Sequence, residues 1–274
     1  MSHVRKNKGK QSSSPTQFTI RRKYVNIATL LPVLREKYAL NNAEVMAEIE
    51  LTFSAVLSRL YQVEVMAFFT DEFQLQAIAY EKRSGVIHQR QLDIRAVVGK
   101  TSMARHLQHS LAKAEVIRQA QRYKPQAGTL LWGEIADRDS ERNIYIRTEI
   151  FGGDPVLAVC PANRVGVHER HSRLFQIGET RAFHLRLVEP VLLNGIPRLK
   201  IVVDRVSKTL VVTLLRSYLG NEQKRVNIHC VKRYVGHKSI VLVDRMLPRT
   251  VIKAVDRELR ERVEVHIVNH PIAH

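Results

Sequence analysis

Two absences set the first limits on this chain of 274 residues. It has only two cysteines, Cys160 and Cys230, and their distance in sequence indicates neither a disulfide framework nor a zinc knuckle. No uninterrupted apolar run approaches the roughly 18 residues that a membrane span needs, and the N-terminal MSHVRKNKGK has no apolar signal core. We therefore expect a cytoplasmic protein that contacts no membrane.

Signatures of catalysis and of cofactor binding are also missing. The sequence has no P-loop, no G-x-S-x-G and no paired-carboxylate spacing. Its HERH stretch places His168 and His171 three residues apart, but it departs from H-E-x-x-H and lies between predicted strands. We predict no enzymatic activity, no cofactor and no metal site.

Acidic residues are scarce, 26 against 44 lysines and arginines, which gives a net charge of +18 and predicts a polyanionic partner such as nucleic acid. The segment 26–80 is the exception, with seven acidic and three basic residues. Because nucleic acid repels carboxylates, we predict that Glu44, Glu48 and Glu50 lie on an exposed helix face and contact a protein partner.

The first third of the chain predicts an arm followed by one α+β domain. Residues 1–19 are polar, basic and poor in large apolar groups, which is typical of a disordered arm. Over 20–123, a short apolar helix precedes an Asn41–Asn42 cap and a second helix, then three β-rich runs and a long helix. The apolar stripe predicted for the second helix is Val45, Ile49, Phe53, Val56 and Leu60.

The rest of the chain predicts two further domains after a KPQAG linker, so the fold class is multidomain α+β. Five short strands over 124–206 are typical either of a five-stranded OB barrel or of a small β-sandwich of other topology. Residues 207–270 predict the order helix, strand, strand, helix, strand, with Val251, Val255 and Leu259 on the buried side of the second helix.

An OB barrel binds single strands by stacking bases on aromatic side chains within a basic groove. Trp132, the only tryptophan, alternates in phase with Leu130, so it either packs internally or stacks on a base. Tyr145 alternates with Ile144 and Ile146 and is predicted to face the surface. The predicted phosphate contacts of this domain, for which a plain solvated role is the alternative, are Arg147, Arg164 and Arg173.

Two stretches resemble a known family. A G-x-x-x-x-G opening strand and a later Gly-Glu turn are similar to the OB barrel of ribosomal protein S-one. The residues that carry this similarity are Gly128, Leu130, Gly133, Ile135, Ile177, Gly178 and Glu179. The following SKTLVVTLLRSYL is similar to the SKP-type helix that leads from the OB barrel to the first KH domain in the bacterial NusA transcription factors. The lobe over 20–123 also resembles the N-terminal domain of that family.

The resemblance implies a NusA-type domain at 20–123, an S-one-type OB barrel at 124–206 and a degenerate type II KH domain at 207–270. A KH domain grips nucleic acid with a G-x-x-G loop, because glycine lets the backbone approach the phosphates. Met246 to Arg249 occupy that position here, so we expect this grip to be lost. The basic residues that remain, as phosphate contacts or as a plain solvated face, are Arg245, Arg249, Lys253 and Arg257.

The family binds RNA polymerase through its N-terminal domain and nascent RNA through its OB and KH modules, and it modulates pausing, termination or antitermination. The resemblance implies the same partners for this chain. The missing G-x-x-G and the lack of a second KH domain before His274 leave an alternative open. In that alternative, the chain is a stand-alone nucleic-acid-binding or scaffold protein of a mobile element or ribonucleoprotein assembly and does not touch polymerase.

Overall fold

The computed structural model describes residues 27–83, 85–97, 100–151, 153, 155–170, 175–220 and 226–268. These residues form six α-helices and eleven strands in three sheets. The chain divides into two compact units, 1–114 and 115–274. The predicted arm of residues 1–19 lies outside the described residues. No helix within the described ranges combines the length and the apolar character that a membrane span requires.

The first unit combines helices with an antiparallel sheet of three strands. Helices α1 (Ile27–Tyr38) and α2 (Asn42–Tyr61) precede strands β1 (Glu64–Phe69), β2 (Leu75–Arg83) and β3 (Val86–Leu92), which pair in the order β1-β2-β3. Helix α3 (Thr101–Tyr123) follows, and its N-terminal part shares one apolar core with these elements. The predicted succession of two helices, three strands and a long helix is confirmed.

Helix α2 begins where the sequence predicts it, because Asn41 forms a capping box with Glu44. The Asn41 side chain accepts the Glu44 amide at 2.9 Å, and the Glu44 carboxylate accepts the Asn41 amide at 2.7 Å. The predicted apolar stripe is wrong at Leu60, which is 51% exposed, whereas Leu57 is buried. The spacing assigns Leu60 to the apolar side of the helix, but Leu60 lies in the last turn of α2, and whether another element covers that turn depends on packing.

The second unit contains a closed barrel of five strands. These are β4 (Leu130–Arg138), β5 (Ile144–Glu149), β6 (Pro155–Cys160), β7 (Thr180–Leu193) and β8 (Ile196–Asp204), with the short helix α4 (Val167–Arg170) between β6 and β7. They pair in the order β4-β5-β6-β8-β7, and only β6 and β8 run parallel. The closed barrel excludes the predicted alternative of a small sandwich.

Two glycines, Gly133 in the barrel interior and Gly178 in a turn, lie at positions where a side chain would meet a steric or conformational obstacle. A Cβ on Gly133 would lie 2.9 Å from Cδ1 of Ile146 and 3.3 Å from Cβ of Thr148, so a side chain there would require these neighbours to shift. Gly178 adopts a φ of +89° in the turn before β7 and donates its amide to the Ile135 carbonyl at 2.8 Å. The turn is thereby fixed against β4.

The remaining elements of the second unit form an αββαβ module with its own apolar core. They are α5 (Lys208–Leu219), β9 (Ile228–Tyr234), β10 (Lys238–Val243), α6 (Arg249–Leu259) and β11 (Arg262–Ile267). Strand β10 lies in the middle of the sheet, antiparallel to β9 and parallel to β11. The predicted order of elements is confirmed.

The connection from β8 to α5 is held by the buried Asp204. Its carboxylate accepts the Ser207 amide at 3.0 Å and the His184 Nδ1 proton at 3.3 Å, and the Ser207 hydroxyl caps α5 by accepting the Leu210 amide at 3.2 Å. Burial opposes ionisation of Asp204, but the hydrogen bonds from His184 and Ser207 outweigh it and hold the pKa of the carboxyl below its ordinary value.

Candidate nucleic-acid interface

The outer face of strands β4 and β5 brings together three of the predicted site residues. Leu131, Gly133, Ile135, Ile144, Ile146 and Thr148 alternate toward the barrel interior and are buried. Trp132, Tyr145 and Arg147 alternate to the outside, and Arg147 pairs across the strands with Glu134. Tyr145 thus faces outward and Trp132 lies on the surface, and base stacking by either ring stays a prediction.

Trp132 is 41% exposed and belongs to an aromatic pair that the sequence did not predict. Its ring makes an edge contact with the ring of Tyr218 on α5, with centroids 6.4 Å apart and an interplanar angle of 78°. Tyr218 is 39% exposed. Leu130, which shares the outer face, packs against the core of the αββαβ module. The aromatic pair therefore lies where the barrel meets α5.

Tyr145 and Arg147 differ in how firmly they are held. The Tyr145 hydroxyl donates to Asp139 at 3.2 Å, and burial together with the Asp139 carboxylate raises the pKa of the phenol, which keeps it neutral. Arg147 makes only an exposed ion pair with Glu134 at 3.6 Å. An exposed pair of this kind contributes about 0–1 kcal/mol, so the Arg147 guanidinium remains free to exchange Glu134 for a phosphate.

The other two predicted arginines of the barrel are not on these strands. Arg164 is half-buried in the 3-10 turn Ala162–Arg164 that follows β6, and its carbonyl accepts the Arg205 amide at 2.9 Å. Arg173 lies outside the described residues. The interface on β4 and β5 consequently includes Arg147 as its cation.

Helix α6 carries a basic stripe, which we define as Arg249, Lys253 and Arg257. The three side chains recur every four residues and are exposed, while Val251, Val255 and Leu259 are buried on the opposite side, as predicted. Within the described part of the chain, no carboxylate lies within ion-pair distance of the basic stripe. Arg245 differs, because it pairs with Asp244 at 3.6 Å.

The segment that precedes α6 contains no glycine, and its residues face in different directions. Leu247 is 3% exposed and belongs to the core of the αββαβ module, whereas Met246 is 79% exposed. Pro248 caps α6 without a side-chain hydrogen bond. Because Leu247 anchors this segment in the core, the segment is fixed to the module rather than free to close over a ligand.

The predicted exposure of Glu44, Glu48 and Glu50 on α2 is wrong, since each residue is half-buried and has an internal partner, whereas their contact with a protein partner stays a prediction. Glu44 completes the capping box, Glu48 accepts the Ser110 hydroxyl, and Glu50 accepts the Phe69 amide at 2.8 Å. The periodicity of a helix predicts which residues lie outside the apolar stripe. It does not predict that neighbouring β1 and α3 supply hydrogen-bond donors to the Glu50 and Glu48 carboxylates.

The sequence did not predict that Arg205 is buried, with only 1% of the residue exposed. Arg205 donates to the carboxylate of Glu169 on α4, to Glu258 on α6 at 2.7 Å and to the Ala182 carbonyl at 2.6 Å. Burial lowers the pKa of the guanidinium, but the two carboxylates outweigh burial and raise the pKa above its ordinary value. Arg205 thus joins the barrel to α6.

The HERH stretch has a structural role. His168 Nε2 donates to the Leu259 carbonyl at 3.0 Å, and Glu169 binds Arg205. His171 lies outside the described residues. No group of three or more potential metal ligands occurs among the described side chains.

Searches of protein-family models and of curated proteins find no match for this chain. Functional inference therefore depends on its own residues and their geometry.

Proposed function

We propose that this chain binds single-stranded RNA through its second unit and acts as a NusA-like transcription factor that modulates pausing, termination or antitermination. One observation carries the RNA-binding part. A single compact unit presents both an outer barrel face with the exposed Trp132 and Arg147 and the half-buried Tyr145, and the basic stripe of α6, which has no carboxylate partner among the described residues. Exposed aromatics stack on bases and unpaired cations bind phosphates, which is the combination that single strands require.

The chain order of the strands supports an OB assignment for the barrel. Numbered from β4, the closed order is first, second, third, fifth, fourth, with the third and fifth strands parallel. This is the order of a five-stranded Greek-key OB barrel, whose second and third strands bind oligonucleotides. Strand β5, with Tyr145 and Arg147, is the second strand of that scheme.

The αββαβ module supports the KH-like part of the proposal in the same way. Its helix, antiparallel strand pair, helix and parallel third strand follow the type II KH order, with the single helix α6 where such a domain has a helix pair around its G-x-x-G loop. Without a close backbone approach, the basic stripe is left to contact phosphates by charge. We therefore propose binding without sequence preference at this module.

Replacing Arg249, Lys253 and Arg257 with alanine should weaken binding to unrelated single-stranded RNAs by the same factor, because each cation that is removed leaves one phosphate unbound. The slope of log affinity against log salt should fall by about 0.7 for each such phosphate, or about 2 in all. The measurement is fluorescence anisotropy at two salt concentrations.

The matched control removes the same charge from exposed positions of the first unit, by alanine at Arg59, Lys82 and Arg105. Equal losses of affinity in the control and in the basic-stripe variant would mean that net charge, rather than the stripe, governs binding. A loss confined to one RNA sequence would contradict the proposed lack of base readout.

A second candidate function is favoured by the internal partners of Glu44, Glu48 and Glu50. If these carboxylates stabilise the first unit through their internal hydrogen bonds, they do not form an acidic surface that binds polymerase. The chain would then be a stand-alone nucleic-acid-binding or scaffold protein of a mobile element or ribonucleoprotein assembly.

Affinity purification of the tagged full chain from its native host discriminates between the two candidates. The NusA-like function predicts that core RNA polymerase stays bound after nuclease treatment, because the contact is between proteins. Polymerase that is absent, or that is released by nuclease, would support the scaffold function instead.

A further inference from the structure

Three arginines and one aspartate surround a pocket at one end of the barrel, which we call the arginine pocket. Its volume is about 220 Å³, and its lining residues are Arg138, Asp139, Arg142, Ile144 and Arg170. They come from the end of β4, the β4–β5 turn, the first residue of β5 and the last residue of α4. The sequence did not predict this site, because Arg170 joins the others only through the fold.

Two of the guanidiniums are held in place by neutral partners. Arg138 donates to the carbonyl oxygens of Arg170, at 3.5 Å, and of Phe175. Arg170 donates from Nε to the carbonyl of Val165 at 3.1 Å. Carbonyl oxygens orient a guanidinium without neutralising it, so both positive charges remain in the half-buried pocket.

The third arginine is presented by a well-defined turn. Arg142 has a φ of +64° and donates its amide to the Asp139 carbonyl at 3.0 Å. The Asp139 side chain in turn accepts the amide and the side chain of Asn143, each at 2.8 Å. This turn brings the exposed Arg142 side chain to the pocket while its backbone stays fixed.

Positive charge exceeds negative charge in the arginine pocket. Among its described lining residues, Asp139 is the only acidic one, and hydrogen bonds from Asn143 and Tyr145 lower the pKa of that carboxyl and occupy its oxygens. Asp137 near the end of β4 and Glu141 in the β4–β5 turn are both exposed. Within the described ranges, none of the three guanidiniums lies within ion-pair distance of a carboxylate. Asp139 offsets only part of the charge of the three guanidiniums, which repel one another, and an anion in the pocket would relieve that repulsion.

We infer that the arginine pocket binds a phosphate group of single-stranded RNA. Guanidinium groups match phosphate oxygens with paired hydrogen bonds, and a cavity of this size admits one such group rather than a large ligand. The Tyr145 hydroxyl bonds to Asp139, so the pocket borders the outer face of β5. An RNA strand with a base at Tyr145 would direct a neighbouring phosphate into the pocket. This step rests on the proposed function.

In the first test, the full chain is titrated with inorganic phosphate at constant ionic strength. Binding is monitored through the arginine Nε–Hε signals in NMR spectra. Arg142→Gln should weaken phosphate binding tenfold or more, a size typical of a charge-assisted hydrogen bond, and Arg142→Lys should recover part of the affinity. Arg142 is exposed, so its replacement should leave the fold intact. Arg198→Gln, at an exposed position of the β7–β8 hairpin, is the matched control and should change nothing. Equal phosphate binding by Arg142→Gln and the wild type would overturn the site.

The second test measures RNA affinity of the same variants at several salt concentrations. Arg142→Gln should weaken binding about tenfold and reduce the salt slope by about 0.7, the share of one phosphate contact. If Arg142→Gln abolishes phosphate binding but leaves the RNA affinity unchanged, the ligand of the pocket is a free anion and not a phosphate group of RNA. If the wild type binds no RNA, the proposed function fails, whereas Arg142-dependent phosphate binding would still support the pocket.

Discussion

Replacement of Arg205 by methionine is expected to lower the free energy of unfolding of the second unit by about 3–5 kcal/mol, the usual cost of removing one partner from a buried ion pair. Methionine fills similar volume, so the destabilisation comes from charge. It leaves the Glu169 side chain, which is 4% exposed, buried as an anion without its cation, and it leaves Glu258, which is 8% exposed, with only the ion pair to Arg181 at 3.5 Å. It also removes the donor of the Ala182 carbonyl. Urea unfolding can be followed by the fluorescence of Trp132, the only tryptophan.

A second variant separates the buried charge from the change in packing. Adding Glu169→Gln and Glu258→Gln to Arg205→Met should recover most of the stability, because no uncompensated charge then remains. Arg216→Met, at an exposed position of α5, should change stability by no more than about 0.5 kcal/mol. The role given to Arg205 would be wrong if its replacement cost as little as that of Arg216.

Replacement of Trp132 by alanine is expected to weaken single-stranded RNA binding by roughly 1–3 kcal/mol, the range measured for removal of one base-stacking aromatic. That is about 5-fold to 150-fold in the dissociation constant. The tryptophan is 41% exposed on the outer barrel face and shares that face with Arg147. Anisotropy titration with a short unstructured RNA measures the effect, and circular dichroism checks the fold.

The controls for Trp132 use the other exposed aromatics. Trp132→Phe should retain most of the affinity, since a smaller ring still stacks, and Tyr218→Ala should weaken binding in the same direction by removing the edge contact at 6.4 Å. Tyr234→Ala is the matched control, because Tyr234 is 43% exposed in the same unit but lies on β9. Equal effects at Trp132 and Tyr234 would exclude a stacking site on the barrel.

Most secondary structure could be predicted because its causes are local. The capping box at Asn41 starts α2, the KPQAG segment ends α3 at Tyr123, and spacings of four place Val251, Val255 and Leu259 on one side of α6. Each signal depends on residues within one or two turns of chain, which the sequence displays directly. The alternation of β5 likewise predicted the outward Tyr145, since successive side chains of a strand point to opposite faces.

What a side chain meets once its element packs was decided only by the tertiary structure. Alternation assigned Trp132 to a face, but the position of α5 determined that Leu130 is covered while Trp132 stays exposed. Nothing near Glu48 in the sequence indicates Ser110 as its partner.

The environment of Arg205 and the arginine pocket, both in the second unit, were likewise decided only by the tertiary structure. Arg205 and Glu258 are 53 residues apart, and Arg170 reaches the arginine pocket from a different element than Arg138 and Arg142. The sequence by itself determined the elements, their order and the excess of positive charge. Whether a given charge is paired, buried or free depends on contacts between residues distant in the chain, and these form only when the barrel closes and α6 packs against it.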